Sequence, residues 1–107
     1  MKLSIIWKLS EKETENQVTL DCLKSQLADY VEPIQILIYP EQKEQQYHAQ
    51  FQGKNVIATT SSLVGSLDVE VFEDAKKQVD GDFVTYLYGG DRWSEQALQQ
   101  LHAMLQK

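Results

Sequence analysis

The residues best placed to do chemistry follow the apolar run Phe83–Tyr88, which ends in Gly89-Gly-Asp-Arg-Trp93 with Ser94 and Glu95 behind it. A strand that turns there into a helix presents backbone amides, hydroxyls and a guanidinium over a sheet end. Open α/β sheets hold ligands at such ends. Arg92 is the one arginine of the chain, and Asp91 stands beside it. A second polar group is the hydroxyl run Thr59-Thr-Ser-Ser62. If strands at 2–9, 56–59 and 83–88 run parallel, their carboxyl ends gather Ser10-Glu11-Lys12, Thr59–Ser62 and 89–93 along one edge. Thr60, Ser61, Gly90 and Arg92 then form a candidate site for a small anionic metabolite, with hydroxyls and a helix N-terminus as donors. No phosphate loop with its lysine accompanies them, so this site rests on placement rather than on a motif.

The remaining reactive types are isolated. His48 and His102 have no second histidine or cysteine at ligand spacing, which argues against zinc. Cys22 is the single cysteine, so the chain forms no internal disulfide and carries no Cys-x-x-Cys motif. Its acidic neighbour Asp21 does not favour the thiolate. The carboxylate pairs Asp80/Asp82 and Glu73/Asp74 fall on turns and helix faces, where solvated acids are ordinary, and a two-carboxylate hydrolase needs a defined cleft. No catalytic residue, metal or cofactor is assigned, and the chain is read as non-enzymatic. Tyr86 and Tyr88, on one face of their strand, stand close to Trp93 and to the acids Asp82, Asp91 and Glu95. Amphipathic aromatics beside charges are the composition of protein-binding surfaces.

These residues depend on the elements that carry them. Lys2–Leu9 reads as an internal strand, apolar almost throughout. A helix follows, its start offered by two capping-box spacings, Ser10…Glu13 and Thr14…Gln17. Leu20, Leu23, Leu27, Tyr30 and Val31 make its apolar stripe, and Pro33 stops it at about Glu32. Ile34–Tyr39 is a short strand closed by Pro40, and Glu41–Gln46 is a polar loop. Tyr47, Ala49 and Phe51 alternate with His48, Gln50 and Gln52 as in a half-exposed strand, with Gly53-Lys54 as a turn and Val56–Thr59 as its return strand. Leu67, Val71, Phe72, Ala75 and Val79 predict a second helix, with Ser66 as cap and a Glu73–Lys77 pair. The alternation Leu67, Val69, Val71 offers a strand instead; the helix is preferred. Asp80-Gly81 ends it. After Phe83–Tyr88, a last helix carries Ala97, Leu98, Leu101, Met104 and Leu105. The order β-α-β-β-β-α-β-α implies one α/β or α+β domain over residues 1–107, with a mixed sheet of about four to five strands and helices packed on it.

Charge narrows the partners. Ten basic residues face sixteen acidic ones, a net charge of −6, and the basic residues are lysines apart from Arg92. Phosphate-backbone binding needs clustered Lys and Arg, so nucleic acid and acidic membranes are disfavoured. An acidic surface suits a basic protein partner. In size and acidity the chain is similar to small bacterial immunity proteins, which neutralise a toxic enzyme by plugging its positively charged site. That similarity of class implies an antitoxin-type inhibitor, steered by Asp82, Asp91, Glu95 and the acidic residues of the second helix and anchored by Tyr86, Tyr88 and Trp93. The opening run Met1–Trp7 stops at Lys8 and lacks the small-residue cleavage site of a secretory signal. No window approaches the roughly 20 apolar residues of a membrane span, and a cytoplasmic location is expected.

Overall fold

The structure, a computed structural model, describes residues 3–27, 33–42, 45, 47–51, 56–79 and 83–88. Among these residues four strands form one sheet: β1 (Leu3–Lys8), β2 (Ile34–Tyr39), β3 (Val56–Thr60) and β4 (Phe83–Tyr88). Their order across the sheet is β3-β2-β1-β4, and every pairing is parallel. Burial follows from this order. The central strands are covered on both faces, so Leu3, Ser4, Ile5, Ile6 and Trp7 of β1 are all buried, as are Ile36 to Tyr39 of β2. Parallel strands covered on both faces read as continuous apolar runs, as these two do. The outer strands bury less: Ile57 of β3 and Val84 of β4 are exposed.

Among the described residues two α-helices cover the faces. Helix α1 (Glu13–Leu27) joins β1 to β2 and sets Leu20 and Leu23 against Leu3, Ile5, Trp7, Ile34, Ile36, Ile38 and Leu87. Helix α2 (Asp68–Gln78) lies between β3 and β4 in the chain and sets Val71 and Ala75 against Ile6, Leu37 and Tyr39. The chain steps outward from β1 to β2 and back across the sheet from β3 to β4. Right-handed crossovers in opposite directions put their helices on opposite faces, which explains the three layers.

Local chemistry sets the helix starts. Neither capping box begins α1: the Lys12 carbonyl accepts from the Glu15 and Asn16 amides, while the Ser10 hydroxyl accepts from Lys12 N–H and donates to Glu15. Leu67, rather than Ser66, is the N-cap of α2, and the Glu70 carboxylate accepts its N–H at 2.9 Å. Half of a capping box is present there, because a leucine side chain has no acceptor for the other half.

Several expectations change. The α/β reading holds, but the sheet is parallel among the described residues, where a mixed sheet was expected. Val56–Thr60 is no return strand of a hairpin; it pairs in parallel with β2. Residues His48–Phe51 form a short 3-10 helix, and the alternating pattern there does not make a strand. The cause is Trp7, whose ring packs against Tyr47 at 5.5 Å and Phe51 at 6.3 Å between centroids. Positions 47, 49 and 51 share a side of a strand, whereas a 3-10 turn aligns positions three apart, so the alternation points to a strand and the contacts with Trp7 override it. Residues 68–78 are helical throughout, which removes the strand alternative. Phe72, expected on the core stripe of α2, is 48 % exposed. The turn at Gly53-Lys54, the stop at Asp80-Gly81, Tyr30 and Val31 of the first stripe and the whole last helix lie outside the described residues.

Candidate functional site

In an open parallel sheet the crevice for a ligand forms where the strand order reverses. Here that point lies between β1 and β4, since β2 and β3 stand on the other side of β1. Lys8 ends β1 and Tyr88 ends β4, and the two are register partners. Tyr86 pairs with Ile6, two residues back, and therefore points to the same face as Tyr88.

Helix α2 brings Asp68, its first residue, to the same place. The Tyr88 hydroxyl donates to Asp68 Oδ2, the Tyr86 hydroxyl to Oδ1 at 3.3 Å, and Lys8 Nζ donates to Oδ1 at 3.2 Å. Glu41, after β2, adds a second carboxylate 3.6 Å from the ammonium. Lys8 Nζ also lies 5.7 Å from the centre of the Tyr88 ring. Phe72, Tyr86 and Tyr88 pack in sequence, the first pair tilted and the second edge to face, with centroids 4.9 Å and 5.1 Å apart. The cluster thus combines one ammonium, two carboxylates and an aromatic ladder.

Its electrostatics follow from these contacts. Burial works against the Lys8 ammonium, but the hydrogen bond and charge of Asp68, with Glu41 behind it, outweigh burial and raise its pKa above the usual lysine value. The Tyr88 and Lys8 donors hold the Asp68 carboxyl below the usual range. Tyr86 is pushed up by burial, then by Tyr88 and Asp68, and Tyr88 is raised by its bond to Asp68. Both phenols therefore stay protonated donors at neutral pH.

A buried polar network on the other face positions this edge. Gln45 is buried, and its carbonyl accepts the amides of Glu41 at 2.8 Å and Gln42 at 3.1 Å. Its amide group donates to Ser10 O at 2.9 Å and Glu13 Oε1 at 2.8 Å. Asn16, fully buried, closes on Ser10 from both sides, accepting its N–H at 2.7 Å and donating to its carbonyl at 2.8 Å. Tyr47 donates to Glu13 Oε2. The loops after β1 and β2 are thereby tied together, which fixes where Glu41 meets Lys8.

Of the residues singled out in the sequence, Tyr86 and Tyr88 come together here. Asp82, Gly90, Asp91, Arg92, Trp93 and Glu95 lie outside the described residues. Thr60 and Ser61 sit at the end of β3, with two strands between them and β4. Ser61 N–H donates to Ile38 O at 2.8 Å and its hydroxyl accepts Leu63 N–H at 3.0 Å, a local turn. Lys8, Glu41, Asp68 and Phe72 were not picked out. Lys8 as the charged end of an apolar strand was the available signal. Asp68 and Glu41 carried none without the strand order. Among the described residues, no three His, Cys, Asp or Glu side chains gather as metal ligands, and no helix is long and apolar enough to cross a membrane.

No family model and no curated protein matches the chain. Two solved structures resemble its fold, both of S. aureus TarS residues 1–349, one alone and one in complex with UDP. Each superposes with a TM-score of 0.72 at 18 % identity, over 99 % of this chain and 32 % of the TarS chain. At that identity the likeness concerns the fold, and this chain spans about a third of the TarS length.

Proposed function

We propose that the chain is a small-ligand-binding α/β domain of the cytoplasm that holds an anionic metabolite of nucleotide type at the carboxyl ends of β1 and β4. One observation carries the reading: Lys8 and Tyr88 end adjacent parallel strands at the point where the strand order reverses, with Asp68 between them. The parts suit such a ligand. A carboxylate that accepts from two tyrosines has the geometry to accept from ribose hydroxyls instead. The tyrosine faces offer a stacking surface for a base, and Lys8 offers a countercharge for phosphate. That one of the two similar TarS structures contains UDP supports the choice of UDP as the first probe.

Two carboxylates against one ammonium set the affinity scale. Phosphate must compete with Asp68 and Glu41 for Lys8, so the gain from the first phosphates is modest and is lost again when a third is added. The test is calorimetric titration with uridine, UMP, UDP and UTP on the unaltered chain and on Lys8→Met. The reading expects UMP or UDP to bind better than uridine and UTP, with the gain over uridine abolished by Lys8→Met. Absence of heat with all four, or equal binding by the variant, would sink it.

A further inference from the structure

Helix α2 carries more apolar surface than the sheet uses. Val71 and Ala75 enter the core, whereas Val69 is 63 % exposed and Phe72 48 % exposed. At 3.6 residues per turn, Val69, Phe72 and Lys76 fall on a stripe turned toward solvent. Beside it runs an open groove of about 340 Å³ lined by Leu63, Val69, Glu70, Glu73, Asp74 and Lys77. Three carboxylates there face one ammonium. Asp74 is committed to Tyr39 at 2.7 Å and Gln78 at 2.6 Å, and Glu70 to the helix start. Among the described residues Glu73 reaches Lys76, at 3.9 Å and well exposed, a weak surface pair.

We infer that this outer face of α2 docks a basic amphipathic segment of a partner protein, with apolar side chains across Val69 and Phe72 and a long cationic side chain in the groove beside Glu73. Charge selects this occupant. The chain carries −6 overall, and the groove is acidic by three to one. A second copy of the chain would set that acidic rim against itself, and like charges across an interface cost affinity. An anionic lipid surface is repelled for the same reason. Phe72 borders both this face and the β1–β4 crevice, through its contact with Tyr86, whereas Val69 and Glu73 line only the α2 groove, so variants at Val69 and Glu73 test this face without touching the crevice. The basic partner expected from composition thus meets α2, where apolar and acidic residues alternate on one exposed surface.

The test uses fluorescence anisotropy with a labelled synthetic helix, leucines along one face and lysines on both flanks, and a matched helix with glutamates for lysines. The lysine helix binds and the glutamate helix does not. Glu73→Lys weakens binding about tenfold or more and flattens its salt dependence, while Val69→Ser weakens it mainly through faster dissociation. Both residues are exposed, so circular dichroism and the thermal midpoint should stay unchanged, which separates lost docking from lost fold. The inference is overturned if the lysine helix does not bind or if the two helices bind equally. It is also overturned by undiminished binding to both variants, or by a dimer in sedimentation that Val69→Ser dissolves.

Discussion

Replacing Gln45 with leucine tests how the sheet edge is held. The side chain is 4 % exposed and makes four hydrogen bonds, two as acceptor and two as donor. Leucine is close in volume, so packing changes little and the loss is polar. Each bond contributes about 1 kcal/mol net, which sets an upper figure of about 4 kcal/mol. Part is recovered. Ser10 O keeps its bond from Asn16, and the exposed Glu13 carboxylate can turn to water. The amides of half-buried Glu41 and exposed Gln42 lose an acceptor with incomplete access to solvent. The expected cost is therefore about 2 kcal/mol, a sizeable share of the 5–15 kcal/mol typical of a domain. Urea denaturation should show a lower midpoint at an unchanged slope. Glu41 would lose its fixed place beside Lys8, so the amide signals of Lys8 and Glu41 should shift although residue 45 lies on the other face. A cost under about 0.5 kcal/mol, within the range of an ordinary surface substitution, would refute the claim that Gln45 clamps the two loops.

Two further outcomes follow from other parts of the structure. The four described tyrosines, Tyr39, Tyr47, Tyr86 and Tyr88, all have raised pKa values, Tyr47 to about 12, with burial the leading cause for the first three. A tyrosine whose folded pKa exceeds its unfolded value, near 10, stabilises the fold fully below that pH and loses the contribution as pH rises through the folded value. Absorbance at the tyrosinate band should therefore lag behind free tyrosine and rise together with unfolding above about pH 10; full ionisation of an intact fold near pH 10 would contradict this. Leu67 wastes the N-cap of α2, so Leu67→Ser should complete the box with Glu70 and add about 1 kcal/mol in thermal or urea unfolding. No gain would mean that the exposed leucine stabilises the helix start by other contacts.

Much of the fold was legible because burial on two faces writes itself plainly. Ile34–Tyr39 and Phe83–Tyr88 match the strands of the structure, and the expected strand 2–9 runs one residue past the end of β1, with Lys2 outside the described residues. At 47–51 the alternation of Tyr47, Ala49 and Phe51 points to a strand, but Tyr47 and Phe51 both pack on Trp7 and His48–Phe51 is a 3-10 turn, a tertiary outcome that local spacing does not carry. Phe72 was placed in the core because hydrophobicity sets an apolar arc but not how much of it one sheet covers. The site was legible on one side only. Tyr86 and Tyr88 announced a shared face by alternation, whereas Asp68 and Glu41 join them through the strand order, a long-range fact with no local trace. Gln45 is a buried polar residue whose bonds to Ser10 and Glu13 span 35 and 32 residues, so a polar-loop reading of 41–46 could not reveal its role.

The central claim is that the β1–β4 crevice is a ligand site, and amide and side-chain NMR on the labelled chain during titration with UDP tests it most directly. The account expects saturable shifts at Lys8, Glu41, Asp68, Tyr86 and Tyr88, quiet signals at Val69 and Glu73 on the outer face of α2, and loss of the shifts in Asp68→Asn. Absence of shifts, or shifts confined to the end of β3 around Thr60 and Ser61, would contradict it.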